Sequence, residues 1–173
     1  GGSLRTVITS TGEEIEARWF ISATHPEQLL SMTDQLRVTG AFAFRIKKLE
    51  DTIGMFTIYL VFKKDTFPYL NHNFYHYDRE NTWVAGDYNP GKWPQNYVLM
   101  CTAESGAETW ARSASVLTYM SFGELKRWEN TTTGCRGEDY EQFKKDKCEK
   151  LLDSVERQFP GIRSCISACY SST

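Results

Sequence analysis

The chain has 173 residues, 40% of them hydrophobic and 24% charged, the composition of an ordinary globular domain with a core of its own. Twenty Lys and Arg stand against twenty-two Asp and Glu, a formal net charge of -2, so no global attraction to nucleic acid exists and no nucleic-acid partner is expected. The longest mostly apolar run, Met55 to Phe62, falls far short of the ~20 residues a membrane helix needs.

In chain order, Arg5 to Thr9 and Glu14 to Ile21 are β-prone, and Ser10-Thr11-Gly12 between them reads as a hairpin turn. Thr24 and Glu27 have capping-box spacing and Pro26 suits a first helical turn, predicting a short helix to about Met32. Phe42, Ile46 and Leu49 are spaced for one face of a second helix, which Asp51 to Gly54 ends. Met55 to Phe62 predicts a strand apolar on both faces, and Leu70 to Tyr77 a second strand rich in aromatics. Asp78 to Pro94 reads as a loop broken by Asn89-Pro90-Gly91 and Trp93-Pro94. Tyr97 to Thr102 and Ser115 to Phe122 predict two further strands.

Asp139 to Phe159 carries the clearest helical pattern, with Tyr140, Phe143, Cys148, Leu151, Leu152, Val155 and Phe159 as its apolar stripe. Lys144, Lys145, Lys147 and Lys150 alternate with acidic residues and read as its solvated face. Pro160-Gly161 stops the helix, and a short helix is expected from Ile162 to Ala168. Strands grouped apart from helices predict an α+β fold. The expected architecture is a mostly antiparallel sheet of four to six strands, one face under the long helix and the other, with Tyr59, Tyr75 and Tyr119, open to a ligand or another domain.

The polar motifs point to no catalytic residue and no metal. His72 and His76 lie in a strand-like run, where four residues span roughly 13 Å at ~3.3 Å each, too far to share one ion. Cys165 and Cys169 have helical spacing with no second ligand pair nearby, which suits core thiols better than a metal site. All five cysteines read as reduced thiols of a cytoplasmic protein, for which a membrane-peripheral position is compatible. The twelve glycines never form G-x-G-x-x-G or G-x-x-x-x-G-K, so no phosphate cradle is legible. Aromatics crowd between Phe56 and Tyr97, Trp83 among them, as expected of a sheet core or of an elongated apolar pocket.

Several segments together resemble one family. Glu13-Glu14-Ile15-Glu16-Ala17 followed by Trp19-Phe20-Ile21-Ser22-Ala23-Thr24-His25-Pro26 is similar to the middle of the phytoene desaturase and retinol saturase group, above all its bacterial branch. Phe56-Thr57-Ile58-Tyr59-Leu60, Asn73-Phe74-Tyr75, Trp93-Pro94, Leu117-Thr118-Tyr119-Met120, Arg136-Gly137-Glu138-Asp139-Tyr140 and Phe159-Pro160-Gly161-Ile162-Arg163 continue the likeness in order, and Tyr170-Ser171-Ser172-Thr173 completes it.

The resemblance implies an FAD-dependent oxidoreductase acting on carbon–carbon bonds of a polyene or similar isoprenoid. Residues 1–24 would be a hairpin remnant of the FAD-binding domain and 25–173 the substrate-binding domain, with Gly1-Gly2-Ser3 a cloning scar or an internal cut. The missing flavin domain of the same polypeptide and an apolar small molecule are the implied partners, and self-association through the orphaned face is compatible. Ala23, Thr24 and His25 would approach FAD in the intact enzyme only, and Tyr59, Asn73, Tyr75 and Tyr119 would line the substrate pocket. Without the glycine-rich turn, this chain alone is expected to hold no FAD and to be inactive. A free-standing lipid-binding module and a protein-interaction domain are the rival expectations.

Overall fold

The computed structural model describes residues 4–32, 40–49, 53–78, 80, 88–104 and 107–173. Gly1-Gly2-Ser3, positions 51 and 52 of the second helix's expected end, and 79 and 81–87 of the expected loop, Trp83 included, lie outside the described residues. The chain divides into two compact units, Gly1–Glu50 and Asp51–Thr173. The two short helices therefore group with the hairpin rather than with the sheet.

In the first unit, β1 (Thr6–Ile8) pairs antiparallel with β2 (Glu14–Glu16). The turn forms where the sequence places it. Gly12 N–H donates to Thr9 O at 3.0 Å, Gly12 takes φ 85°, and Thr9 N–H closes on Glu13 O at 2.9 Å, the three-residue loop in which a glycine supplies the left-handed position. The second strand is shorter than expected. Its last rung among the described residues is Ala17 N–H to Arg5 O at 3.3 Å. Trp19 and Ile21 beyond it are 88% and 99% exposed. Helices α1 (Pro26–Met32) and α2 (Gly40–Lys47) follow, and neither buries a residue. The His25 ring caps the first, with Nδ1 accepting from Glu27 N–H at 3.3 Å.

The second unit is an antiparallel five-stranded sheet in the order β4-β5-β6-β3-β7. Its strands are β3 (Gly54–Phe62), β4 (Phe74–Tyr77), β5 (Asn96–Glu104), β6 (Ala107–Met120) and β7 (Ile166–Ser172). Helix α3 (Glu138–Gln158) lies on one face, and the chain turns after it at Gly161, whose left-handed φ of 88° favours glycine. Phe56, Ile58, Leu60, Leu99, Val116, Leu151, Val155 and Ile162 are all within 1% of full burial and build the core between sheet and helix. The α+β expectation, with one long covering helix, holds.

Three expectations fail in detail. The helix after Pro160 is one turn only, α4 (Ile162–Cys165), and Ile166 onward is the edge strand β7. Cys165 and Cys169 therefore do not share a helical face. Strand β6 starts at Ala107, and its expected end is instead a 3-10 stretch, Phe122–Trp128, capped by Ser121 Oγ on Gly123 N–H at 3.2 Å. Lys147, read as solvated, is a buried residue of α3. The Trp93–Pro94 bond in the aromatic loop is cis.

Candidate functional site

The face of the sheet away from α3 follows from the register, since directly paired residues share a face. Tyr77 pairs with Asn96, Tyr75 with Val98, Val98 with Leu117 and Met100 with Ser115. Met55 pairs with Tyr119, Thr57 with Leu117 and Ser172, Tyr59 with Ser115 and Tyr170, and Val61 with Ser113 and Ala168. None of these positions carries a charged side chain. Tyr59, Tyr75 and Tyr170 stand 45%, 59% and 63% exposed, and Met55, Val61 and Tyr77 are exposed beside them.

Three of the sequence-predicted pocket residues meet on this face. Tyr75 and Tyr119 line one shallow groove together with Met55, Tyr77, Asn96, Val98 and Leu117, and Tyr59 lies on β3 outside it. Asn73 is exposed ahead of β4 and does not line the groove. Strand alternation from Tyr75 would have found Tyr77. Met55, Val98 and Leu117 required the register, which no local pattern prints. The groove holds about 70 Å³, a small fraction of the ~300 Å³ of a small-molecule cavity, so this face is a wall and not an enclosure.

Behind the groove, the Tyr97 hydroxyl is buried with no hydrogen-bond partner among the described residues. Burial pushes its ionisation up to about 12, which Arg157 opposes and Asp78 reinforces. His76 stacks on its ring with centroids 4.9 Å apart and bonds Asp78 Oδ1 at 3.0 Å. Unfolded tyrosine releases its proton near 10 and this one near 12. Over that window the unfolded chain holds fewer protons, so stability falls as pH rises from 10 to 12. Tyr97→Phe removes both this loss and the unpaired hydroxyl. It is expected to raise unfolding stability at pH 7 by about 1 kcal/mol and to flatten the alkaline decline, both read from urea titrations.

Among the described residues no group of three or more His, Cys, Asp or Glu could hold a metal ion, and no helix is long and apolar enough to cross a membrane. The Ala23-Thr24-His25 turn is exposed. Within it Thr24 N–H donates to Ser22 Oγ at 3.3 Å, and just beyond it Glu27 N–H donates to His25 Nδ1 at 3.3 Å. The helix it opens has 7 residues and an acidic first turn, which disfavours an anion. These residues therefore do not fit a flavin pyrophosphate by themselves.

No protein-family model, curated protein or solved structure matches this chain.

Proposed function

We propose that this chain is the substrate-binding portion of an FAD-dependent oxidoreductase that acts on carbon–carbon bonds of a long apolar molecule, a polyene or isoprenoid, and that it is inactive alone. The observation that carries the reading is the one-sided sheet: α3 covers one face, and the other presents Tyr59, Tyr75, Tyr77, Tyr119 and Tyr170 with Met55, Val61, Val98 and Leu117 among serine, threonine and asparagine, with no charged side chain at the positions named above. An antiparallel sheet that faces water on one side normally alternates apolar-in with polar-out. A broad uncharged face is instead a surface that something else covers.

The chemistry of the face favours a flat apolar ligand. Tyrosine rings offer stacking area at low conformational cost, and their hydroxyls with Asn96 supply the few polar anchors such ligands need. A groove this shallow supplies one wall. The second wall and the flavin then belong to a separate domain of the same polypeptide. The N-terminal hairpin supports the same reading, because Val7, Ile8 and Ile15 are exposed on a two-stranded ribbon, which is marginal without a larger sheet to join.

All-trans-retinol is a suitable probe. Binding followed by quenching of tryptophan emission is expected to weaken about tenfold in Tyr75→Ser/Tyr119→Ser, the equivalent of ~1.4 kcal/mol of lost ring contact. Lys150→Ser, exposed on α3, leaves it unchanged. Binding that is absent in the folded wild-type chain, or indifferent to the tyrosine pair, removes the assignment of this face. A natural reading frame without an upstream G-x-G-x-x-G segment removes the flavoenzyme.

A further inference from the structure

Two cysteines distant in the chain meet under the edge of the sheet. Cys148 lies on α3 and Cys169 on β7, where it pairs with Leu60 on the face that α3 covers. Their sulfurs are 3.4 Å apart. A disulfide needs about 2.0 Å, so a closure of about 1.4 Å, within reach of side-chain rotation at an edge strand, separates the two states. The other thiols are placed differently: Cys165 Sγ donates to Thr66 O at 3.2 Å.

We propose that Cys148 and Cys169 form a peroxide-responsive dithiol, with Cys169 as the attacking sulfur and Cys148 as the resolving one. The assignment of roles follows from the pair's surroundings. Cys169 is the exposed member and Cys148 the more enclosed. The hydrogen bond from Cys148 holds the Cys169 thiol below the ordinary range, with Arg163 adding to this while burial and Glu149 oppose it. The same hydrogen bond, with burial, pushes Cys148 up. An exposed thiol whose ionisation is eased, at contact distance from a second thiol, is the arrangement of a redox-sensing pair.

The reaction balances with hydrogen peroxide as oxidant. The Cys169 thiolate attacks one peroxide oxygen, the O–O bond breaks, and the departing hydroxide takes up a proton to leave as water, giving a sulfenic acid. The Cys148 sulfur then attacks the Cys169 sulfur, the S–S bond forms, the S–O bond breaks, and a second water leaves with the Cys148 proton. Two thiols and one peroxide become one disulfide and two waters. The product ties β7 to α3. Among the described residues that strand otherwise pairs only with β3, and it carries Tyr170 on the open face one residue from Cys169. The inference does not depend on what the open face binds.

The test is peroxide treatment of the folded chain, alkylation of remaining thiols and peptide mass mapping. The expected result is three alkylated cysteines of the five, a Cys148–Cys169 linked peptide lighter by two hydrogens, and restoration by a dithiol reductant. In Cys148→Ser, Cys169 is expected to stop as a sulfenic acid trapped by dimedone, and in Cys169→Ser, Cys148 stays alkylatable. Five thiols surviving in wild type, Cys169 running on to sulfinic acid without the link, or a link joining any other pair overturns the proposal. The wild-type map decides the matter even if a serine variant fails to fold.

Discussion

Phe56→Ala is expected to lower the stability of the sheet unit by about 4 kcal/mol, within the range for a large side chain lost from a packed core. Phe56 is fully buried on β3, the strand held between β6 and β7. Its ring meets the Trp93 edge-on at 5.6 Å and 83°. Trp93 is itself fixed, with Nε1 donating to Tyr119 O at 2.8 Å and Lys147 Nζ 4.1 Å from its ring centroid. A site walled by a hydrogen-bonded indole and a doubly paired strand relaxes little, so the cavity remains and its cost adds to the lost transfer energy. Tyr59→Ala, three residues on and on the other face, is expected to cost less than about 1 kcal/mol, because its ring leaves water only in part. Urea titrations of the two variants side by side read out the sheet's asymmetry. Equal losses would mean that the tyrosine face is covered in solution, and the open-face reading would fail with it.

That asymmetry was legible in the sequence only where side-chain size makes the period visible. Phe56, Ile58, Leu60 and Phe62 are large, and they announce β3. Helix α3 is equally plain, because Leu151, Leu152 and Val155 recur at helical spacing for a whole stripe. Strand β7 was not, since Ile-Ser-Ala-Cys-Tyr-Ser-Ser hides its alternation in small residues, and Cys165 with Cys169 imitates one helical step. The first half of β6, Ala111 to Ser113 among it, fails to announce itself for the same reason, and its strand state comes from pairing with β5. Tertiary partners outweigh weak local preference at such positions.

The open face divides along the same line. Tyr59, Tyr75 and Tyr119 could be guessed as outward residues of their own strands, whereas their assembly with Met55, Val98 and Leu117 is a property of register. Asn73 lies outside the groove because β4 begins at Phe74, leaving the amide ahead of the strand. The Cys148–Cys169 contact is of the same kind, since a helix and an edge strand meet only once the chain has turned at Gly161. Sequence spacing therefore located elements, and pairing located what the elements bring together.

Lys147 shows the sharpest departure from pattern, and its replacement carries the second large effect. Four lysines alternating with acids look like a solvated stripe, yet Lys147 falls on the side of α3 that meets the loop before β5 and the 3-10 stretch after β6. Its ammonium lies 2.8 Å from Glu124 Oε2 and 3.0 Å from Oε1, with Tyr88 Oη at 3.4 Å and the Phe143 ring centroid at 5.6 Å. Tyr88 Oη also donates to Glu124 Oε1. Lys147→Ala strips the Glu124 carboxylate of its cation and the Trp93 ring of the ammonium over its face. The expected loss is about 3 kcal/mol, the lower end of the range for breaking a buried pair, since the Glu124 side chain keeps 22% exposure. Glu124→Ala leaves the more enclosed ammonium, at 9% side-chain exposure, without its anion, and a loss of about 4 kcal/mol follows. The double replacement Lys147→Met/Glu124→Leu strands no charge and keeps an unbranched chain against Trp93 and Phe143, so its loss is expected to shrink to about 1 kcal/mol. The comparison isolates desolvation from attraction: if the double variant is as unstable as Lys147→Met and Glu124→Leu measured singly and added, Lys147 and Glu124 are not coupled, and the buried charge in α3 is held by something other than its pair.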